Sequence, residues 1–234
     1  KPDYAEAYYN LANSYRGQRR LDDALENYCK AIDSNPMHVE ALNNLGVTLK
    51  EQGRLDEALL IHNRVIRLRP DYAEAHNNNG IVLQELGMLR EALKAFDKAI
   101  VSKPDYAEAH FNRSMALLLA AQFDEAWPEY EWRLRTKTYG LRTFQQSKWD
   151  GSLLDGQTIF VHSEQGLGDT IQFVRYLPMI KSQGGRVIFE CYPSLYLLLR
   201  ECPGIETIVE RVPSGEPVET FDVHVPLMSL PGIF

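Results

Sequence analysis

The chain has 234 residues with a formal net charge of −7, and 44% of its residues are hydrophobic, enough for two modest domains with real cores. No run of about 18 apolar residues is present to span a membrane and no secretory leader is visible at the start, so membrane insertion is not expected. The acidic balance is spread evenly, −4 over residues 1–135 and −3 over 136–234, which leaves no basic stripe for nucleic acid.

From the first residues a phrase recurs. Pro2, Pro36, Pro70 and Pro104 stand 34 residues apart, and Pro-Asp-Tyr-Ala-Glu-Ala opens at residues 2, 70 and 104. The second copy, Pro36-Met37-His38-Val39-Glu40-Ala41, keeps only the proline, Glu40 and the closing alanine of that phrase. Counting each unit from the third residue after its proline, position 8 is small (Ala12, Gly46, Gly80, Ser114) and position 20 is always alanine (Ala24, Ala58, Ala92, Ala126). Small residues at those registers let paired helices approach closely, and the 34-residue period identifies a tetratricopeptide array over residues 1–135. Leu11 and Leu45, then Tyr15, Leu49, Leu83 and Leu117, then Tyr28, Phe96 and Tyr130, fill the remaining seam as core. His76 and His110 share position 4, an inter-helix slot. Four helix pairs suffice for a self-supporting stack. The last is expected to be a cap, with Pro128 near its first turn and Trp127 and Trp132 covering the end.

Position 6 of every unit is asparagine: Asn10, Asn44, Asn78 and Asn112. Asparagine costs about 0.7 kcal/mol against alanine inside a helix, so four in one register need a reason. Equivalent positions in stacked repeats point the same way. The amides are expected to line a concave face and pair with the backbone of a bound peptide or protein, since each offers a donor and an acceptor. Bonding between helices is the plainer reading.

Residues 136–155, with Tyr139-Gly140 through Lys148 at their centre, read as a linker. From Gly156 the signals alternate: strand 158–162, helix 170–181, strand 186–190, helix 194–201, then strands near 205–210 and 221–225. Such alternation predicts a parallel sheet in a Rossmann-like half-domain over 156–234, an α/β unit after an all-α one. Ligands bind such sheets beyond the carboxyl ends of the strands, where Ser163-Glu164-Gln165-Gly166-Leu167-Gly168-Asp169 leads into a helix. Gly166 and Gly168 are expected to permit a tight turn, with His162 and Glu164 facing the same mouth. No Gly-Lys-Ser/Thr follows, Ile171 replaces the third glycine of a dinucleotide fingerprint, and Asp169 would repel a pyrophosphate. Glu190, ending the next strand, is the one residue that favours a dinucleotide, in a ribose-binding role.

The run Trp149-Asp150-Gly151, Leu154-x-Gly156, then Glu164 through Phe173, Arg175 and Tyr176, resembles bacterial tetratricopeptide proteins that carry a glycosyltransferase-like domain. The Gly-Asp turn, followed one helix later by Pro178, is similar to the N-terminal half of inverting heptosyltransferases. The array is similar to that of O-linked N-acetylglucosamine transferases. The resemblance implies an acceptor-side domain with Asp169 as general base and a nucleotide sugar as donor substrate, held mainly by a second Rossmann domain. An N-cap role is the plainer reading of Asp169. The chain by itself is then expected to transfer no sugar, and no resident cofactor or metal is expected. A scaffold with a non-catalytic Rossmann-like domain is the alternative.

Cys29, Cys191 and Cys202 form no CxxC and suit a reducing cytoplasm as packing residues. Pro2 falls where a preceding repeat would close, and the apolar ending 227–234 suggests a sheet left uncovered. More repeats upstream, and completion of the sheet by another copy in a homo-oligomer, by crystal neighbours or by disorder, are the expectations.

Overall fold

A computed structural model of the protein describes residues 2–136, 142–164, 166–212 and 219–234. The chain divides into two compact units, Lys1–Lys137 and Thr138–Phe234. Among the described residues no helix is long and apolar enough to cross a membrane.

The first unit is a helical solenoid: α1 (Pro2–Gly17), α2 (Leu21–Ser34), α3 (Val39–Glu51), α4 (Leu55–Leu68), α5 (Ala73–Glu85), α6 (Leu89–Ser102), α7 (Ala107–Leu119) and α8 (Phe123–Tyr130). Within each pair the helices meet over the small residues. A Cβ built on Gly80 would lie 2.6 Å from Cε1 of Phe96, and one on Gly46 would lie 2.6 Å from Cε1 of His62. Ala24, Ala58, Ala92 and Ala126 are fully buried. Position 24 is thus an aromatic slot, filled by Tyr28, His62, Phe96 and Tyr130.

The turn inside each pair is equally regular. The N–H of position 16 donates to the carbonyl of position 11 in all four repeats: Arg20 to Tyr15, Arg54 to Leu49, Met88 to Leu83 and Gln122 to Leu117, at 2.9–3.0 Å. This closure puts position 15 in the left-handed region, where Gly53 and Gly87 sit at φ 76°, Arg19 at 62° and Ala121 at 57°. Glycine adopts that conformation without penalty; Arg19 and Ala121 do not.

Pro128 is not in the first turn of its helix. α8 begins at Phe123, so the proline falls in the second turn, and the helix runs past it to Tyr130. The chain continues as a 3₁₀ turn, Glu131–Arg135. Trp132 folds back to stack on His110, with ring centres 3.9 Å apart and planes at 4°. His76 and His110 are buried, and each places Nε2 against the carbonyl of the proline that opens its repeat, 2.8 Å for Pro70 and 3.0 Å for Pro104.

The second unit holds β1 (Ser147–Lys148), β2 (Thr158–His162), α9 (Leu167–Phe173), α10 (Leu177–Ser182), β3 (Arg186–Cys191), α11 (Tyr196–Leu199), β4 (Thr207–Glu210), β5 (Val223–Pro226) and α12 (Leu230–Ile233). The strands form one parallel sheet in the order β1-β5-β2-β3-β4, with Ile159 facing Val223 on one side and Val187 on the other. β2 and β3 are apolar and buried along most of their length, as a sheet covered on both faces requires. The expected helix 170–181 is broken by a 3₁₀ turn, Val174–Tyr176, because Pro178 cannot donate within a helix interior and instead opens α10.

Two expectations are corrected. Residues 142–155 are not a linker: β1 lies among them and pairs with β5, and buried Trp149 donates its backbone N–H to the carbonyl of His224 at 2.8 Å. Tyr139 and Gly140 lie outside the described residues. Nor is the apolar ending uncovered, since Leu227, Met228 and Leu230 are buried and Phe234 packs its ring 5.9 Å from that of Trp149. A short 3₁₀ turn followed by α12 folds these side chains inward.

His62 is fully buried in its aromatic slot, and burial lowers its pKa to about 4, with Lys50 adding in the same direction. The unfolded chain takes up a proton near pH 6.5 and the folded one only near 4. Stability is therefore complete above pH 6.5 and falls as pH drops through that window, by about 3 kcal/mol at its foot. His62→Phe is expected to make this slope shallower in the array while leaving the share of buried His224, measured as denaturant midpoints at about pH 7 and about pH 4. Arg19→Gly and Ala121→Gly are each expected to raise stability by up to about 1 kcal/mol in thermal melts, because they relieve the left-handed backbone.

Candidate functional site

The asparagine row exists, and its first task is to join repeats. Asn44 Nδ2 donates to Asn13 Oδ1 at 3.0 Å and to the Tyr9 hydroxyl at 3.3 Å. Asn78 Nδ2 donates to Asn43 Oδ1 at 3.1 Å, and Asn112 Nδ2 to Asn77 Oδ1 at 2.9 Å. Position 6 of one repeat thus reaches position 5 of the repeat before it. Asn10, which has no repeat before it here, bonds to Glu6 Oε1 at 3.5 Å. The plainer reading, bonding between helices, accounts for the Nδ2 atoms of Asn44, Asn78 and Asn112.

What remains is more specific. Each amide pair leaves one Nδ2, on Asn43 or Asn77, and one Oδ1, on Asn78 or Asn112, without a protein partner among the described residues. Asn43 and Asn77 are 7% and 4% exposed, while Asn78 and Asn112 are half-buried. A donor and an acceptor side by side match the two groups of a peptide unit. One turn later Val47 and Ile81 are half-buried and Met115 is 36% exposed, an apolar row beside the amides. Sequence reasoning missed Asn43 and Asn77. The doubled asparagine at 43–44 and again at 77–78 was the available signal.

In the second unit the strand order reverses between β2 and β5, and the loop after β2 leads into α9 at the carboxyl end of the sheet. Gly166 is the N-cap of α9 at φ −61°, ψ 168°, an extended conformation open to any residue. The glycines are therefore not needed for a tight turn. Gly168 instead leaves bare space, since a Cβ there would meet nothing within 4 Å. Asp169 is the third helical residue, not the N-cap. It is half-buried, with no ion pair or hydrogen bond to its carboxylate among the described residues. Its Oδ2 lies 3.5 Å from where a Cβ of Gly166 would stand, so the carboxylate leans back over the loop. Glu164 is half-buried in that loop, and Gln165 lies outside the described residues.

His162 does not face an open mouth. It is 5% exposed and walled by the rings of Phe144 at 5.1 Å, His224 at 5.6 Å and Phe160 at 5.9 Å. Burial, with help from the Lys148 and Arg142 charges, lowers the His224 pKa to about 4, so that ring stays neutral at ordinary pH. Glu190 cannot serve a ribose. It is 1% exposed and taken by Arg142 through two parallel bonds, Nη1–Oε1 at 2.5 Å and Nη2–Oε2 at 3.0 Å. Arg142 comes from the stretch expected to be linker, which is why no partner for Glu190 was visible in the sequence. The dinucleotide alternative loses its one favourable residue. Among the described residues no group of three His, Cys, Asp or Glu side chains is placed to hold a metal ion.

Removing the guanidinium strands a buried carboxylate. Arg142→Met is expected to cost about 3–5 kcal/mol in urea unfolding, and adding Glu190→Leu to recover most of it, since a buried pair replaced whole costs little.

A tetratricopeptide repeat profile matches residues 9–73 and 77–132, just over half of the chain. No curated protein matches it. Solved structures share the fold of the array. A crystal structure of MamA is 25% identical, covering 58% of this chain and 79% of that one with a TM-score of 0.52. A thermophilic tetratricopeptide protein of Thermus thermophilus is 23% identical, covering 58% and 75% with a TM-score of 0.53. The first tetratricopeptide domain of Spaghetti (RPAP3), bound to the HSP90 peptide SRMEEVD, is 21% identical, covering 52% and 96% with a TM-score of 0.50. With the 34-residue period, the small-residue seams and the repeat-to-repeat bonds, the profile match establishes that this chain belongs to the tetratricopeptide repeat family.

Proposed function

We propose that the chain is a protein-binding tetratricopeptide module that takes an extended polypeptide along the face of α1, α3, α5 and α7. The observation that carries this is the pair of unused amide groups left at successive repeat boundaries, beside the apolar row of Val47, Ile81 and Met115. Amides held in place by their neighbours bind a backbone at little entropic cost, and they do so whatever the side chains of the ligand. RPAP3 holds a peptide on the same fold.

The second unit we read as a Rossmann-like, acceptor-side domain of a glycosyltransferase. The reversal of strand order at β2 and β5 and the Gly166–Asp169 turn beside it support that reading. Asp169, in the first turn of α9 with no ion-pair partner among the described residues, is the candidate general base that would take the proton of an acceptor hydroxyl as it attacks a nucleotide sugar. The array would then present the acceptor polypeptide. Positioning of the donor and neutralisation of its leaving phosphate need groups that this turn does not supply, so the 234 residues alone are expected to yield no product. A scaffold with an idle Rossmann-like domain is the second reading, favoured by the absence among the described residues of any group that orients Asp169.

A photoreactive residue at Met115 is expected to capture a polypeptide that one at Val101, on α6 and 81% exposed, does not. Asn77→Ala should weaken that capture, and equal labelling at both positions would end the binding reading. In a protein supplied with its donor-binding partner domain, Asp169→Asn is expected to lower turnover about 10²–10⁴-fold without changing the melting temperature. Unchanged turnover would leave the scaffold reading in its place.

A further inference from the structure

Each repeat also carries glutamate at position 2: Glu6, Glu40, Glu74 and Glu108. Position 2 lies one helical turn before the asparagine at position 6, so carboxylate and amide share a stripe of the same helix face. The bond from Asn10 Nδ2 to Glu6 Oε1 shows the two registers meeting. The first two glutamates are occupied. Glu6 and Glu40 flank the His38 imidazole, each at 3.4 Å, and Glu40 also takes Arg69 at 3.1 Å. Glu74 and Glu108 are half-buried and carry no ion pair among the described residues.

The cations of these helices are meanwhile neutralised. Arg16 pairs with Glu51 at 2.8 Å, Lys50 with Glu85 at 3.6 Å, and Arg113 with Asp97 at 2.7 Å while facing Glu125 and Glu129. Lys103 lays its ammonium over the Tyr106 ring, 4.8 Å from its centre. Burial raises the Tyr106 phenol pKa, and the Glu74 and Glu108 charges add in the same direction. Beside them lies Asn77, 4% exposed, whose Oδ1 is bonded to Asn112 and whose Nδ2 has no partner among the described residues, a donor waiting for an acceptor.

We infer that the polypeptide received between α5 and α7 is basic, its backbone carbonyl taken by Asn77 Nδ2 and a Lys or Arg side chain by Glu74 and Glu108. This rests on the binding reading above and adds the charge class of the ligand. An acidic segment such as SRMEEVD would meet two unpaired carboxylates on this face, while the guanidiniums of Arg16 and Arg113 are already held by carboxylates.

The test uses three labelled peptides of repeating Lys-Ser-Gly, Gln-Ser-Gly and Glu-Ser-Gly units, followed by fluorescence anisotropy on the full chain. The Lys peptide is expected to bind about tenfold or more tighter than the Gln peptide at low salt, with the gap closing as ionic strength rises. Glu74→Gln with Glu108→Gln should abolish the gap. Glu26→Gln with Glu91→Gln, on α2 and α6, should leave it, which separates a site from the pull of net charge. Asn77→Ala should weaken the Lys and Gln peptides by the same factor. If the Lys and Gln peptides bind equally, the Glu peptide binds best, or the Glu26/Glu91 control closes the gap, the charge inference falls and the binding reading stands. If none of the three binds, both fall.

Discussion

Everything in the array depends on how closely two helices can lie. Where Gly80 faces Phe96, the ring occupies space that any Cβ would claim, and the same holds for Gly46 beneath His62. Overfilling a seam of this kind typically costs about 1–3 kcal/mol, which outweighs the helix-forming advantage of alanine over glycine. That contact sets the separation within a pair, and the separation sets which positions reach the next repeat. The position-6 to position-5 bonds are possible because the pairs are stacked at a constant spacing, so the amide row is a by-product of the packing rule.

Legibility in the sequence followed the same division. Residues whose role is set within one repeat were readable, because four copies of the environment lie side by side: the fully buried Ala24, Ala58, Ala92 and Ala126 need no coordinates to be recognised as seam. Contacts between repeats were harder. The asparagines at position 6 stood out, but their acceptors at position 5 are Tyr9, Asn43 and Asn77, a set with no shared chemistry beyond hydrogen bonding. The second unit has no internal copy to compare. Strand β2 could be read from its own residues, whereas the Arg142–Glu190 pair spans 48 positions and leaves no local sign. Buried charge in a parallel sheet is set by topology, and topology is the last thing a single sequence discloses.

Buried polar groups in both units are for the most part paired. In the solenoid the asparagine amides bond to one another and His76 and His110 set Nε2 against backbone carbonyls, while fully buried Arg133 pairs with Glu131 at 2.7 Å and His110 Nδ1 meets Glu129 at 2.7 Å. The sheet buries an ion pair near the carboxyl end of β3, beside the strand whose loop leads into α9 and Asp169. Its neighbours Ser163 and Arg211 add bonds to the carbonyls of Glu190 and Ser163, at 3.0 and 3.2 Å, and hold the strand ends in register. A rigid frame of that sort is what a carboxylate needs if it is to stay put without a partner of its own.

His62 has a consequence for the array as a cooperative object. A solenoid holds together through nearest-neighbour interfaces, so its unfolding behaves like a chain of linked spins in which one weak link divides the rest. The three other aromatic slots are filled by Tyr28, Phe96 and Tyr130, and only the second repeat places there a ring that gains a positive charge on acidification. Protonation of that ring would weaken the stack at one slot rather than evenly along it. A single proton taken up in the interior would therefore be felt by the neighbouring repeats as well as by its own.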